Sequence, residues 1–147
     1  MIEIMDGNIF NARVEALVNP VNCEGVCGAG LAAKFKEHYR DNYRAYREAC
    51  NQGKITVGTL FVYQYPDYGL TIFNFPTKYE WSCPSRLCWI EWGLKALVVK
   101  LEELKIKTVA VPALGCGLGG LHWTEVEKLM KKEFKYYEGK VLLYRPQ

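Results

Sequence analysis

The sequence predicts an α/β fold with three layers, in which a mixed, mostly parallel sheet of about six strands lies between two layers of helices. Short apolar segments that suit strands alternate along the chain with longer segments of helical periodicity. Segment 108–114 is continuously apolar, as expected of a central strand covered on both faces. Segments 59–65 and 70–75 are rich in β-branched and aromatic residues and are joined by turn residues, which predicts one antiparallel pair.

The first half of the chain supplies two strands and a long helix. Residues 1–5 form a short apolar strand, and a second apolar strand covers 16–22. Apolar residues then recur three or four apart through residues 31–50, which predicts one amphipathic helix that Gly53 ends. The inward face of this helix would consist of Leu31, Phe35, Tyr39, Tyr43, Tyr46 and Cys50.

The second half supplies two helices and the last strand. Pro84 suits the first turn of a helix, and Thr124 with Glu127 fits a capping box at the start of another. Residues 141–144 form the last strand. The buried sides of the two helices are expected to be Leu87, Ile90, Leu94, Leu97, Leu101 and Leu104 in the first, and Val126, Leu129, Met130 and Phe134 in the second.

Size and composition fit a single domain over residues 1–147, which is long enough to bury a core. The sequence shows no signal-peptide pattern and no apolar run long enough for a membrane span, so we expect a cytoplasmic protein. The six cysteines are scattered without a C-x-x-C group, which favours reduced thiols and no metal site. The net charge of +3 permits an anionic partner without requiring one.

Two glycine-rich segments, 25–30 and 115–120, each follow a strand and precede a helix. Ligands of open α/β sheets bind at such strand ends, and free backbone N–H groups at a helix start attract phosphate. The second segment matches G-x-G-x-x-G, a weak signal alone. A dinucleotide-binding motif normally opens the first βαβ unit, and no Lys-Ser/Thr follows to make a Walker loop. The alternative for either segment is a tight turn without a ligand.

Polar residues near the end of the second predicted strand are further candidates. An asparagine there can offer its amide to a sugar hydroxyl or can bind the backbone of its own loop. We expect the backbone role for Asn19 and a ligand contact for Asn22, at the mouth of the first glycine-rich loop. Glu24 is expected to be a solvated loop residue and not a catalytic base.

Four segments together resemble one family. They are Gly-Asn-Ile at 7–9, Asn-Pro-Val-Asn at 19–22, Gly-Ala-Gly-Leu-Ala at 28–32 and Val-Pro-Ala-Leu-Gly-Cys-Gly at 111–117. This set resembles the macrodomains, which bind ADP-ribose, although the family usually has aspartate where Asn8 stands. Residues 74–87 and the Gly-Leu-x-Trp at 120–123 are similar to the DNA ADP-ribosyl glycohydrolase antitoxins of the DarG type.

The resemblance implies a site. Lys78 would be catalytic and would lie beside the anomeric carbon of the distal ribose. Asn8 and Ile9 would face adenine, Asn22 and the first loop would hold the distal ribose, and the second loop would clamp the diphosphate. The implied ADP-ribose-binding residues are Asn8, Ile9, Asn22, Gly28, Gly30, Leu31, Thr77, Gly115, Cys116, Gly117, Leu118, Gly119 and Gly120.

Two kinds of chemistry are open to Lys78. As a neutral amine it can attack the opened sugar and form a Schiff base, and as a cation it can stabilise negative charge on the leaving base. The residue pattern does not choose between them. Without the resemblance, an exposed lysine at a strand end is the expected alternative.

The activity implied is removal of ADP-ribose from thymine bases in DNA, with no cofactor and with the chain acting as a monomer. Its partners would be ADP-ribose, ADP-ribosylated single-stranded DNA and a DNA ADP-ribosyltransferase toxin, and no membrane. The alternatives are a glycohydrolase for glutamate-linked ADP-ribose on proteins, a binding module without turnover, and a phosphatase acting on ADP-ribose 1″-phosphate. Gly119 stands where the protein-directed relatives carry an acidic residue, which favours DNA.

Two basic clusters and three aromatic residues are candidates for DNA contact. A solvated face is the default for each cluster, and binding of a DNA backbone is the functional alternative. Trp81 is expected in a loop where it can stack on a base, with Tyr79 as a second candidate, whereas Trp89 is expected in the core. The clusters are Lys36, Arg40, Arg44 and Arg47 on the first helix, and Lys128, Lys131, Lys132 and Lys135 near the last.

Overall fold

The computed structural model describes all 147 residues. None of its helices has the length and apolar character needed to cross a membrane. In chain order the strands are β1 (Ile2–Met5), β2 (Ala16–Asn22), β3 (Phe61–Tyr65), β4 (Leu70–Lys78), β5 (Thr108–Val111) and β6 (Lys140–Tyr144). The helices are α1 (Gly30–His38), α2 (Arg40–Asn51), α3 (Leu87–Glu103) and α4 (Trp123–Glu133), with short 3₁₀ turns at Ile9–Asn11 and Pro66–Tyr68.

The six strands form one sheet in the order β1-β6-β5-β2-β4-β3. Every neighbouring pair is parallel except β3 and β4, which are antiparallel as predicted. The predicted mixed, mostly parallel sheet is therefore confirmed. Because five strands run in the same direction, their carboxyl ends meet at one edge, where ligands of such sheets bind.

Alternation along the strands divides the core between two helical layers. Ala16 and Val18 of β2 pack in the cluster that contains the buried faces of α3 and α4. Leu17, between them, packs on the opposite face with Phe35 of α1. Successive strand residues point to opposite faces of a sheet, so this pattern confirms the three predicted layers.

The helix predicted over residues 31–50 is two helices that meet at Tyr39, whose φ of −133° and ψ of 72° are not helical. The break arises from tertiary packing. Phe35 packs against the centre of the sheet, whereas Tyr46 packs with Val21 beside the first glycine-rich loop. The apolar spacing continues across the break, which is why the sequence predicted one helix.

Other boundaries also differ from prediction. Strand β5 ends at Val111, because Pro112 follows and has no N–H for the ladder. The predicted capping box is wrong, since α4 begins at Trp123 and no side chain caps it. Leu104 was predicted to belong to the buried side of α3, but 39% of its surface is exposed.

A buried amide network ties β2 to α2 beneath the site. Asn74 donates to the side chain of Asn42 at 2.8 Å and accepts from the side chain of Asn19 at 3.0 Å. All three residues are almost fully buried. Asn19 thus has a structural role, although its partner is the side chain of Asn74 and not the loop backbone that we predicted.

Candidate functional site

One cavity of about 770 Å³ opens at the carboxyl edge of the sheet. Its walls are the two glycine-rich loops, the turn after β1, the end of β4 and the four C-terminal residues. A volume of this size suits a drug-sized or nucleotide-sized ligand. The position agrees with the strand-end site predicted from the sequence.

The cavity brings together almost all of the predicted site residues. Gly120 is the exception, because it does not line the cavity. Sequence reasoning missed the contributions of Phe10, Tyr144 and Arg145. The signal available for the last two was their place at the carboxyl end of a parallel strand. The predicted residues that line the cavity are Asn8, Ile9, Asn22, Gly28, Gly30, Leu31, Thr77, Lys78, Gly115, Cys116, Gly117, Leu118 and Gly119.

Asn22 organises the first glycine-rich loop. Its side-chain oxygen accepts hydrogen bonds from the backbone N–H groups of Glu24, Gly25 and Val26 at 3.0, 3.0 and 3.2 Å. Its amide nitrogen donates to the carbonyl of Val26 at 2.8 Å. Gly25 adopts a φ of +84°, which favours glycine. The side chain therefore shapes the loop, and only its second amide N–H is left to meet a ligand.

The second glycine-rich loop is packed tightly against Ser85. The Ser85 N–H donates to the carbonyl of Gly119 at 2.9 Å. A β-carbon on Gly119 would lie 2.5 Å from Ser85 Oγ and 2.6 Å from the carbonyl oxygen of Gly115. Gly119 does not have a left-handed φ, so close approach and not backbone conformation requires glycine here. The loop has no room for an acidic side chain at this position.

Lys78 closes β4 inside the cavity wall and is only 9% exposed. A bulge in the pairing of β2 with β4 places it opposite Asn22, and such bulges redirect side chains. Its Nζ donates to the carbonyl of Trp81 at 2.9 Å and makes no ion pair with a carboxylate. The alternative of an exposed strand-end lysine is therefore wrong.

Trp81 is held between the two sides of the cavity mouth. Its N–H donates to the carboxylate of Glu24 at 2.8 Å, and its carbonyl accepts from Lys78. Glu24 is exposed, as predicted, and ties the residues after β4 to the first loop. The Trp81 ring lines the cavity and is 57% exposed.

The side chains that line the cavity include cations and no aspartate or glutamate. Lys34, Lys78 and Arg145 all contribute to its wall. Arg145 is paired with Asp6 outside the wall at 2.8 Å. The arrangement suits an anionic ligand and offers no carboxylate pair for acid–base chemistry. No group of three His, Cys, Asp or Glu residues is placed to hold a metal ion.

The thiols at the site are unsuited to nucleophilic attack near neutral pH. Burial raises the pKa of Cys116, which lines the cavity, to about 11. Burial also raises the pKa of Cys27, in the first loop, to about 11, although Lys36 and Arg47 partly oppose that shift. The thiolate is the reactive form of cysteine, so neither thiol suits the role of a nucleophile.

The turn after β1 forms an apolar end of the cavity. Asn8 Oδ1 accepts a 2.9 Å hydrogen bond from the N–H of Phe10 and caps the short 3₁₀ turn. Ile9 is buried, and the Phe10 ring stacks on His38 with centroids 4.1 Å apart. Apolar and aromatic groups here suit a flat heterocyclic base.

The aromatic residues near Lys78 are only partly as predicted. Trp81 is in an exposed loop, whereas Trp89 is half-buried and lies outside the core clusters. Its ring meets Tyr79 edge-to-face at 5.2 Å, and the Arg86 guanidinium lies 5.5 Å from its centre.

The break at Tyr39 also divides the predicted basic stripe between α1 and α2.

Comparison with known proteins gives consistent matches. The family model of the Macro domain matches residues 18–130. A DNA ADP-ribosyl glycohydrolase of Thermus aquaticus is 45% identical over 99% of this chain and 41% of the relative. A relative in Thermosipho africanus, described as a fusion of a DNA ADP-ribosyl transferase with a DNA ADP-ribosyl glycohydrolase, is 32% identical over 99% of this chain and 42% of its own length. The chain thus spans about two-fifths of the length of these curated relatives.

Comparison with solved structures leads to the same family. The macrodomain of Mycobacterium tuberculosis DarG superposes with a TM-score of 0.95 at 41% identity, over 100% of this chain and 99% of the other. Thermosipho africanus DarTG in complex with ADP-ribose gives a TM-score of 0.93 at 34% identity, over 99% of this chain and 41% of the other. With the fold, the cavity and the matched motifs in agreement, the chain belongs to the macrodomain family and is similar within it to the macrodomains of DarG.

Proposed function

We propose that this chain is an ADP-ribosyl glycohydrolase that removes ADP-ribose from ADP-ribosylated thymine bases in DNA. One observation carries the proposal: a buried lysine that no carboxylate neutralises lies in the wall of a cavity formed by two glycine-rich loops. The names of the similar proteins in Thermus aquaticus and Thermosipho africanus support the choice of DNA as substrate.

In the proposed complex, ADP-ribose extends from the turn after β1 to Lys78. Adenine lies at the apolar end near Asn8 and Ile9, and the backbone N–H groups of residues 115–119 hold the diphosphate. Asn22 and the first loop hold the distal ribose. The cationic lining favours the two phosphate charges of the ligand. Gly120 stays outside this arrangement because it does not reach the cavity.

Lys78 is the proposed catalytic residue. The reaction breaks the bond between the anomeric carbon and the thymine nitrogen, and water supplies a hydroxyl to the carbon and a proton to the base. A neutral Lys78 amine can attack the opened sugar to form a Schiff base that water then hydrolyses. A charged Lys78 can instead stabilise negative charge on the leaving thymine. Both roles use an amine free of an ion pair, as Lys78 is.

The protein-directed alternative is less well supported. Its lysine would act with an acidic residue at position 119, where the present chain has glycine. The approach of Ser85 and the Gly115 carbonyl leaves no space for a side chain there. A phosphatase is also disfavoured, because no aspartate or glutamate lines the cavity. A binding module without turnover is the remaining alternative, and the buried Lys78 argues against it.

We also propose that the activity belongs in the cytoplasm, that the chain acts as a monomer and that its source encodes a DNA ADP-ribosyltransferase as a toxin partner. The Thermosipho africanus relative, in which both activities are named in one protein, supports such a pairing.

A substrate comparison tests the proposal. The chain would be incubated with a single-stranded oligonucleotide that carries one ADP-ribosyl thymidine, and separately with an ADP-ribosyl-glutamate peptide. Released ADP-ribose would be measured by liquid chromatography. We expect release from the oligonucleotide and little from the peptide. Faster release from the peptide would favour the protein-directed enzyme, and binding of ADP-ribose without release from either substrate would favour the binding module.

A further inference from the structure

Two unpaired cations lie together where α1 and α2 meet. Lys36 Nζ lies 4.5 Å from the centre of the Tyr43 ring, and Arg47 donates a 3.0 Å hydrogen bond to the hydroxyl of the same tyrosine. Both cations are exposed, and neither has a carboxylate within ion-pair distance. Tyr43 therefore holds two positive charges close together without neutralising either.

Arg47 of this cation pair packs against the first glycine-rich loop. The Cγ atom of Arg47 lies 3.5 Å from the place that a β-carbon on Gly25 would occupy. The next residue, Val26, lines the cavity and is 41% exposed. Two loop residues thus join the cation pair to the cavity wall.

Trp81 is bonded to the same loop. Its N–H is bonded to Glu24, the residue before Gly25, and its exposed ring also lines the cavity. The carboxylate of Glu24 is engaged by that hydrogen bond. Trp81 and the cation pair are therefore both linked to residues 24–26, Trp81 through Glu24 and the cation pair through Arg47 at Gly25.

The other basic cluster differs because two of its four lysines are in ion pairs and because it lies elsewhere on the fold. Lys131 pairs with Glu127 at 2.9 Å, and Lys132 pairs with Glu91 at 3.5 Å. These residues lie at α4, on the other side of the sheet from α1. A strand bound beside the first glycine-rich loop is therefore on the other side of the sheet from this cluster.

We propose that Lys36 and Arg47 bind backbone phosphates of the single-stranded DNA that flanks the modified thymine, while Trp81 stacks on a neighbouring base. Unpaired cations beside an exposed aromatic ring are the combination by which proteins bind single strands. The inference rests on the proposed function, because it is the modified thymine in the cavity that brings the strand across residues 24–26.

The test compares two double variants. Lys36→Gln with Arg47→Gln removes the cation pair, and Lys128→Gln with Lys135→Gln is the matched control, since both of those lysines are exposed and unpaired near α4. Values of kcat/KM would be measured on an ADP-ribosylated single-stranded oligonucleotide and on ADP-ribosyl thymidine as a mononucleoside, at several salt concentrations.

We expect the first variant to lose activity on the oligonucleotide at low salt and to retain it on the mononucleoside. Each phosphate contact contributes about 0.7 to the salt slope of single-strand binding, so the slope should become shallower by about 1.4. From about 50 to about 200 mM salt, the parent should therefore lose about sevenfold more activity than the variant. Trp81→Ala should cost about 5- to 150-fold more on the oligonucleotide than on the mononucleoside.

Two results would overturn the inference. One is a cation-pair variant that matches the control in rate and salt slope, and the other is an equal loss on both substrates. Fluorescence anisotropy of a labelled single-stranded oligonucleotide would measure DNA binding by this surface without any turnover. A parent chain that hydrolyses neither substrate contradicts the proposed function, and anisotropy with the same salt slopes then still decides whether the cation pair binds DNA.

Discussion

Adding one methyl group to Gly119 tests the packing on which the substrate argument rests. An alanine there would place its β-carbon 2.5 Å from Ser85 Oγ and 2.6 Å from the carbonyl oxygen of Gly115, and real β-carbons essentially never come within 3.0 Å of such atoms. The Gly115 oxygen belongs to the backbone, so relief requires movement of the second loop. Overpacking of this kind costs about 1–3 kcal/mol, which corresponds to a fall in Tm of about 3–9 °C for a domain of this size.

The matched control is Gly117→Ala in the same loop. A β-carbon on Gly117 meets no heavy atom within 4 Å, and its φ is not left-handed. Calorimetric scanning of both variants and titration with ADP-ribose would measure Tm and Kd. We expect Gly119→Ala to lower Tm and weaken binding, with Gly117→Ala close to the parent in Tm. A Gly119→Ala variant with the parent's Tm and Kd would refute the packing argument.

An acidic residue brings the same β-carbon. Gly119→Asp should therefore lower Tm at least as much as alanine does, and it should add no activity on glutamate-linked ADP-ribose. A stable Gly119→Asp variant that hydrolyses the peptide substrate would show that the loop can accept the protein-directed chemistry.

Two further predictions concern the loops. Asn22→Ala removes the acceptor of three loop N–H groups. It should lower the free energy of unfolding by about 1–3 kcal/mol and speed hydrogen exchange at residues 24–26. The control Asn51→Ala, at an exposed position, should leave that exchange unchanged. Normal protection of those three amides would contradict the role assigned to Asn22. Burial raises the pKa of Cys116 from 9.0 to about 11. At pH 8 its thiolate should therefore be about a hundredfold less populated than that of a free cysteine. The rate of Cys116 alkylation should keep rising up to about pH 11. Mass spectrometry would measure the rate of labelling at each cysteine. Labelling of Cys116 as fast as that of the exposed Cys88 would contradict this prediction.

The layers and the ligand-binding edge could be predicted because local sequence patterns determine them. The continuous apolar character of segment 108–114 predicted a buried central strand, of which residues 108–111 form β5. Glycines after β2 and β5 mark places where the backbone turns sharply. The antiparallel pair of β3 and β4 followed from turn residues between two β-rich segments. Each of these signals acts within a few residues of chain.

The remaining features depend on contacts between distant residues. Tyr39 interrupts a perfect apolar spacing because α1 and α2 pack against different core clusters. The clash at Gly119 requires Ser85, which is 34 residues earlier in the chain. The burial of Lys78 depends on a bulge in the pairing of β2 with β4. No periodicity or motif within one segment carries such information.

The resemblance to macrodomains supplied what local patterns could not, namely the catalytic role that we propose for Lys78. Residue type and position alone would have left it as a solvated lysine at a strand end. The structure buries this side chain and places it in the cavity wall. Kinetic measurements on Lys78 variants distinguish a Schiff base from electrostatic stabilisation.

Turnover by Lys78→Ala on an ADP-ribosylated thymidine oligonucleotide tests the central claim most directly. The two loops and Asn22 hold most of the ligand in the proposed pose, so the variant should keep an ADP-ribose Kd close to that of the parent, measured by calorimetry. The kcat should fall at least about a hundredfold, or about 2.7 kcal/mol, as for loss of one strong electrostatic group. Lys78→Arg keeps the charge and removes the amine nucleophile, so recovery of activity with arginine would favour electrostatic stabilisation, and its absence would favour the Schiff base. Hydrolysis by Lys78→Ala at the parent rate would contradict the claim that Lys78 is the catalytic residue.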